Sequence, residues 1–180
     1  MVIYHCTAGE HLGEIGDYSL NLRTDAMTES NIPFVIDILN SEKNKAVLHP
    51  AELTSEQWHD AFRNNLQDPD EANFIIYRSG VPVAWLKVNG LQGKMPWLSM
   101  LVVHEKYHRQ GIGSFAVRFS ENYVRSRGYV SMGIHTNADN IAARNCYKKL
   151  GYAITEESEC TNGDGVRRKG LILHRDFELE

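Results

Sequence analysis

Val102-Val103-His104-Glu105-Lys106-Tyr107-His108-Arg109-Gln110-Gly111-Ile112-Gly113-Ser114 decides how this chain is read. An apolar run from Trp97 to Val103 enters it as a strand, and Phe115, Ala116, Phe119 and Tyr123 leave it on one face of a helix. Gly111 and Gly113 remove two Cβ atoms where the chain turns into that helix, so a ligand oxygen can approach amide N–H groups that have no partner inside the helix. Those amides and the helix dipole favour a phosphate. On its own a Gly-x-Gly pair is as readily a flexible loop before an ordinary helix.

Working outward, Trp97 to Val103 is nearly all apolar, which predicts burial on both faces. Gly128 is placed to end the following helix after Arg125 and Arg127. A strand from Tyr129 to Thr136 comes next. Asp139 or Asn140 then caps a helix whose Ala143, Cys146, Tyr147 and Leu150 lie together before Gly151 ends it. Tyr152 to Glu156 and Lys169 to Phe177 read as strands on either side of a polar loop holding Gly163, Asp164 and Gly165.

Upstream, Asn73 to Arg78 and Val81 to Asn89 form a hairpin across Ser79-Gly80, with Pro82 at a strand start or an edge. Thr54-Ser55-Glu56-Gln57 is a capping box for a helix carrying Trp58, Phe62 and Leu66 and stopping near Pro69. Ile32, Val35, Ile36 and Leu39 mark an earlier helix, with Thr28 as cap and Pro33 in the first turn. A loop with His49, Pro50 and Glu52 joins these two helices. Tyr18 to Arg23 alternates like a strand, and residues 1–16, with Val2, Ile3 and Tyr4 before Gly9, Gly13 and Gly16, read as an extra strand and loop. The order is β, α, α, β, β, β, α, β, α, β, β. It predicts an α/β (α+β mixed) fold, a mixed sheet with helices on both faces, as one domain over 1–180.

Composition narrows the function classes. With 180 residues, 42% of them hydrophobic, the chain can bury one core. A formal net charge of -4 leaves no footprint for nucleic acid, and Arg167-Arg168-Lys169 reads as a solvated loop or strand end. Cys6, Cys146 and Cys160 are odd in number and widely spaced, which supports neither a disulfide framework nor a thiolate zinc site. The first residues lack a signal-peptide pattern and no apolar run reaches spanning length, so a cytoplasmic protein with reduced thiols and no membrane partner is expected.

Other chemistries fit less well. His104 and His108 have metal-like spacing but precede the helix and lack a third ligand, so no metal is expected. Cys146 has no base beside it and reads as a packing residue. The glycines complete neither Gly-x-Gly-x-x-Gly nor Gly-Lys-Ser/Thr, which excludes the dinucleotide and P-loop readings. Trp58, Trp85 and Trp97 fall in amphipathic or buried elements, where core packing is expected rather than a protein-binding anchor.

His108-Arg109-Gln110-Gly111-Ile112-Gly113 resembles the Gln/Arg-x-x-Gly-x-Gly/Ala hallmark of the GNAT N-acetyltransferases. Asn140-Ile141-Ala142-Ala143-Arg144-Asn145-Cys146-Tyr147-Lys148-Lys149-Leu150-Gly151-Tyr152 is similar to that family's Asn-x-x-Ala-x-x-x-Tyr followed by Leu-Gly-aromatic. The resemblance runs from about Tyr18 to Phe177 and implies a GNAT-like, mostly antiparallel sheet and acetyl-CoA as co-substrate. It implies that amides from Arg109, Gln110, Gly111, Ile112, Gly113 and Ser114 hold the pyrophosphate, with His108 where the family carries Gln or Arg. The strand at Leu101, Val102 and Val103 would splay from the strand ending at Thr136 and pair with the pantetheine arm. One backbone N–H there would polarise the thioester carbonyl.

By the same resemblance Asn140, or less directly Asn137, and Ala143 meet the CoA arm, and Tyr147 is the general acid for the departing thiolate. Asn140 reads equally as a helix cap, and Tyr147 by spacing alone as a core residue. Many members carry a carboxylate on the strand where Ser99 and Met100 stand here, so the base is open among His135, Glu52, His49 and a water chain. The expected function is transfer of acetyl to a primary amine, of a small molecule or a peptide, by direct attack. The alternative is a non-catalytic acyl-CoA-binding or regulatory domain. A homodimer is compatible with either.

Overall fold

Alternation and turn chemistry set the sheet. The computed structural model describes residues 21–178, and within them β2 (Ala72–Arg78) and β3 (Val81–Asn89) are joined by Ser79 at φ 49° and Gly80 at φ 82°. Two consecutive positive φ values are what a two-residue hairpin twisted like its strands requires. Ile75, Ile76, Val83, Ala84 and Leu86 are fully buried across this hairpin. Each large aliphatic side chain removed from water in this way contributes about 1.5–3 kcal/mol. Pro82 starts an interior strand, and the register shifts between Ile76 and Tyr77 opposite it.

With β1 (Leu22–Ala26), β4 (Trp97–Val103), β5 (Ser131–Asn137), β6 (Ala153–Thr161) and β7 (Arg167–Asp176), the strands form a seven-stranded sheet in the order β1-β2-β3-β4-β5-β7-β6. Among the described strands only β4 and β5 run parallel. On one face lie α1 (Ile32–Asn40), α2 (Glu42–Leu48) and α3 (Ser55–Gln67), with Ile32, Val35, Ile38 and Phe62 packed on Ile75, Trp85 and Val102. On the other, α4 (Ile112–Arg125) and α5 (Ile141–Lys149) bring Ile112, Ala116, Phe119, Tyr123 and Tyr147 against Leu86, Leu98 and Ile134.

The helix ends follow their chemistry. Thr54 accepts from Gln57 N (3.3 Å) while its own N–H donates to Gln57 Oε1 (2.9 Å), a complete capping box. After α4, Gly128 at φ 85° donates to Arg125 O and Tyr129 N to Val124 O, the paired bonds of a Schellman motif.

Several expectations need correction. The strand expected over Tyr18 to Arg23 is β1, Leu22–Ala26, while residues 1–16, Cys6 and Tyr18 lie outside the described residues. The segment expected as loop after Asn40 contains α2, whose N-cap Ser41 makes no capping side-chain bond, its Oγ donating back to Ile38 O at 3.1 Å, and which ends at His49 in the left-handed region. Thr28 precedes a single 3-10 turn (Glu29–Asn31) ahead of α1, and Ile38, not Ile36, is fully buried there. Tyr129 is spent on the Schellman turn, so β5 begins at Ser131. The last two strands extend further toward each other than expected, as an exposed ribbon to Thr161 and from Arg167. In β4 only Leu98 and Val102 are buried, and Leu101 and Val103 stand part-exposed where the strand opens onto a cavity.

Candidate active site

The cavity begins where β4 loses a neighbour. β3 pairs with β4 from Asn89↔Trp97 to Ala84↔Val103, but β5 pairs with β4 only at Trp97↔Gly133 and Leu98↔Ile134. An extra residue, Ser99, sits in β4 between the Lys87↔Met100 and Val88↔Leu98 pairs, with its Oγ donating to Lys87 O at 3.2 Å. A bulge bends the strand that carries it, and here it stands where β4 turns away from β5. His104 N–H bonds Val83 O at 2.8 Å, so alternation along β4 directs the backbone groups of Leu101 and Val103 to the open flank.

A cavity of about 1190 Å³ occupies that side, above the ~300–1,000 Å³ of an ordinary small-molecule pocket. Leu101, Val102 and Val103 form one wall, His108, Arg109, Gly111, Ile112, Gly113 and Ser114 a second, and Asn140, Ala143 and Tyr147 a third. These are twelve of the thirteen residues singled out in the sequence. The exception is Gln110, whose Oε1 accepts from Arg78 and whose Nε2 donates to Lys106 O at 3.0 Å, turning its side chain outward. Arg109 holds φ 62° and Gly111 φ 83° to make the turn. The first is uncommon for a residue with a Cβ.

The helix starts differ in a way that matters. Asn140 Oδ1 caps α5 by accepting from Ala143 N at 3.1 Å, whereas α4 starts at Gly111 with no side-chain cap. Phe115 N donates to Gly111 O, so the amides of Ile112, Gly113 and Ser114 come before the first intrahelical donor and have no acceptor within the helix. Charged residues among the described lining are Lys43, Arg109, Lys148 and Lys149, all cationic, with no carboxylate. Donor amides at an uncapped helix start plus positive charge fit phosphate groups.

Tyr147 is 7% exposed, and burial, with Cys146 beside it, pushes its phenol well above the ordinary range. Its ring meets Tyr152 edge-on at 6.3 Å. Cys146 Sγ lies 3.5 Å from Ser114 Oγ, joining α5 to the start of α4, and it and Cys160 are free thiols. Asn137 is committed elsewhere: its Nδ2 donates to Val47 O (3.2 Å) and its Oδ1 accepts from Cys160 Sγ (3.3 Å). His104 Nδ1 accepts from Lys106 N, and no group of three or more His, Cys, Asp or Glu among the described residues is arranged to hold a metal ion.

None of the base candidates lines the cavity. His135 Nε2 meets Ser158 Oγ at 3.0 Å, and burial holds its pKa below the usual imidazole value. His49 Nδ1 stands 3.8 Å from Asp164, and Glu52 3.7 Å from Lys45. Met100 packs with the α1–α3 face. Sequence reasoning missed the contribution of α2: Lys43, Asn44, Ala46, Val47 and Leu48 also line the cavity. A seven-residue polar helix has no apolar period to announce it.

Similarity to known proteins points to one family. The family described as acetyltransferase (GNAT) matches residues 32–152. Among solved structures, the Escherichia coli ribosomal-protein-S18-alanine N-acetyltransferase is 18% identical, with a TM-score of 0.67, 88% of this chain and 96% of that one covered. The Salmonella typhimurium acetyl transferase that modifies the N-terminal serine of ribosomal protein L7/L12 is 19% identical, with a TM-score of 0.72 and coverage of 88% and 96%. Aminoglycoside acetyltransferase AAC(6')-Ib, solved with coenzyme A, is 16% identical, with a TM-score of 0.71 and coverage of 86% and 94%. No curated protein matches the sequence. No helix among the described residues is long and apolar enough to cross a membrane.

Proposed function

The chain belongs to the acetyltransferase (GNAT) family, and from that premise we propose that it transfers acetyl from acetyl-CoA to a primary amine of a small molecule or peptide. The observation that carries this reading is the open flank of β4 at Leu101 and Val103, facing a cavity that also holds the uncapped start of α4 and Tyr147. Acetyl-CoA supplies an acyl group on a thiol leaving group, which an amine displaces directly without a covalent enzyme species.

The chain's own groups divide the work. Amides from Arg109 to Ser114, with the lining cations, hold the phosphates, and the backbone of Leu101 and Val103 pairs with the pantetheine arm. A backbone N–H on that flank polarises the thioester carbonyl. Asn140 keeps Nδ2 for the arm while Oδ1 serves as the helix cap. Tyr147 Oη provides the proton to the departing sulfur. Burial keeps this phenol protonated through neutral pH, but a simple thiol ionises near ~8.5 and a phenol near ~10 even when exposed, so transfer is uphill and Tyr147 assists departure. The amine proton passes to solvent through water, since no carboxylate is among the described lining residues.

Thiol release from acetyl-CoA across a panel of amines tests this. Amine-dependent release is expected. Binding of CoA with no amine-dependent release would replace transfer with a non-catalytic acyl-CoA-binding role.

A further inference from the structure

The carbonyl of Val103 faces the open flank of β4, where pantetheine would look for backbone acceptors, yet the chain itself already occupies it. His108 Nε2 lies 2.9 Å from this oxygen and Asn44 Nδ2 lies 3.1 Å from it. A carbonyl oxygen presents two lone pairs, so both of its acceptor positions are taken. Because the partner is a pure acceptor, Nε2 of His108 carries a proton. Asn44 is 8% exposed, and its Nδ2 also donates to Ile38 O at 2.8 Å, in the last turn of α1. One amide group thus ties α1, α2 and the free end of β4 together.

We propose that Asn44 and His108 are positioning residues that clasp the Val103 carbonyl, hold the end of β4 in its splayed direction, and confine pairing with the pantetheine arm to Leu101 and the Val103 N–H. This rests on the acetyl-CoA reading above. It assigns His108 a task unlike that of a phosphate contact: its bonded nitrogen acts on the strand, upstream of the glycine turn. It also gives a reason why an asparagine is the one buried residue of the Glu42–Leu48 helix, since an isolated buried amide would be unfavourable.

The two donors share one acceptor, which makes the proposal testable as a coupling. When either is lost the other still restrains the peptide unit; when both are lost it can turn and compete for the ligand. Calorimetric titration with CoA and with adenosine 3′,5′-bisphosphate, which lacks the pantetheine arm, is performed on the wild type, Asn44→Ala, His108→Ala, the double variant and His108→Gln. Wild-type protein that binds neither ligand would overturn the cofactor reading itself, not the clasp alone.

Given wild-type binding, each alanine variant is expected to weaken CoA by about threefold, in keeping with one hydrogen bond, and the double variant by more than the product of the two. His108→Gln, which restores an N–H donor, is expected to return CoA affinity to within about twofold of wild type, with the bisphosphate unchanged throughout. Equal weakening of both ligands would make His108 a phosphate contact and overturn the clasp. A double variant equal to the product of the singles, or a glutamine no better than alanine, would do the same. Should Asn44→Ala fail to fold, the His108→Ala and His108→Gln pair decides alone, read against the two ligands.

Discussion

The two flanks of β4, a strand inside the sheet, are paired to very different extents. Toward β3 it is paired along its whole length; toward β5 it is paired at two residues and then released. The same strand is therefore paired into the sheet on one side and forms a wall of the cavity on the other. The lesson is that one inserted residue, Ser99, and one flat contact, Trp97 over Gly133, stand where a sheet changes into a site. Before the bulge β4 and β5 are joined, and beyond it they no longer pair with each other.

The largest expected effect tests the open flank. Tyr147→Phe should lower turnover by about 100-fold, within the range for loss of a general acid, while CoA affinity stays within about twofold. Steady-state rates beside a CoA titration check this, and unchanged turnover would leave the phenol a packing residue. Next comes the joined end. A Cβ on Gly133 would meet the Trp97 ring at 2.6 Å, so Gly133→Val should cost about 1–3 kcal/mol of stability, read as several degrees of melting temperature. An unshifted melt would mean that β4 and β5 tolerate separation along their whole length.

A smaller effect separates two tasks of one residue. Asn140→Ala removes the cap on α5 and should cost about 1 kcal/mol in the free protein. Any loss of CoA affinity in that variant then reports the ligand contact of Nδ2. The smallest effect concerns pH. Burial raises both Tyr147 and Tyr152 above the ordinary phenol value of ~10. Above that pH the unfolded chain releases protons that the folded chain retains, so stability should fall as pH rises past about 10 and be flat from this source below it. Thermal melts between neutral and alkaline pH, compared with Tyr147→Phe, check the sign. A steeper decline in the variant than in the wild type would contradict it.

Much of this architecture was legible because its signals are local. The Thr54 box, the Ser79-Gly80 turn, and Gly128 and Gly151 after their helices act within a few residues and need no tertiary partner. The end of β4, the glycine turn after it and the Asn140 to Tyr152 segment hold the twelve of thirteen named residues that line one cavity. What escaped was held from outside. α2 is kept by Asn44 on Val103 O, Asn137 on Val47 O and Asn162 on Leu48 O, three bonds whose partners lie far away in sequence. The ribbon of β6 and β7 is likewise polar, with Lys169 paired to Glu157 at 2.7 Å and Arg167 to Glu159, and it offers little apolar alternation to read. Its tip rests on the α2–α3 connection: a Cβ on Gly163 would come within 2.3 Å of Ala51 N, so glycine is required by proximity rather than by its own backbone angle.

The cationic lining also has a kinetic meaning. The chain carries a formal net charge of -4, yet the charged residues described around the cavity are all positive. Beyond a Debye length of ~8 Å at physiological salt, an anionic ligand is screened from both fields. At low salt the repulsion of the whole molecule reaches further outward, while the attraction remains concentrated at the cavity, where low-dielectric walls focus it. Capture of a polyanion is thus governed by a short final approach rather than by long-range pull, and ionic strength alters its association rate through two opposing contributions.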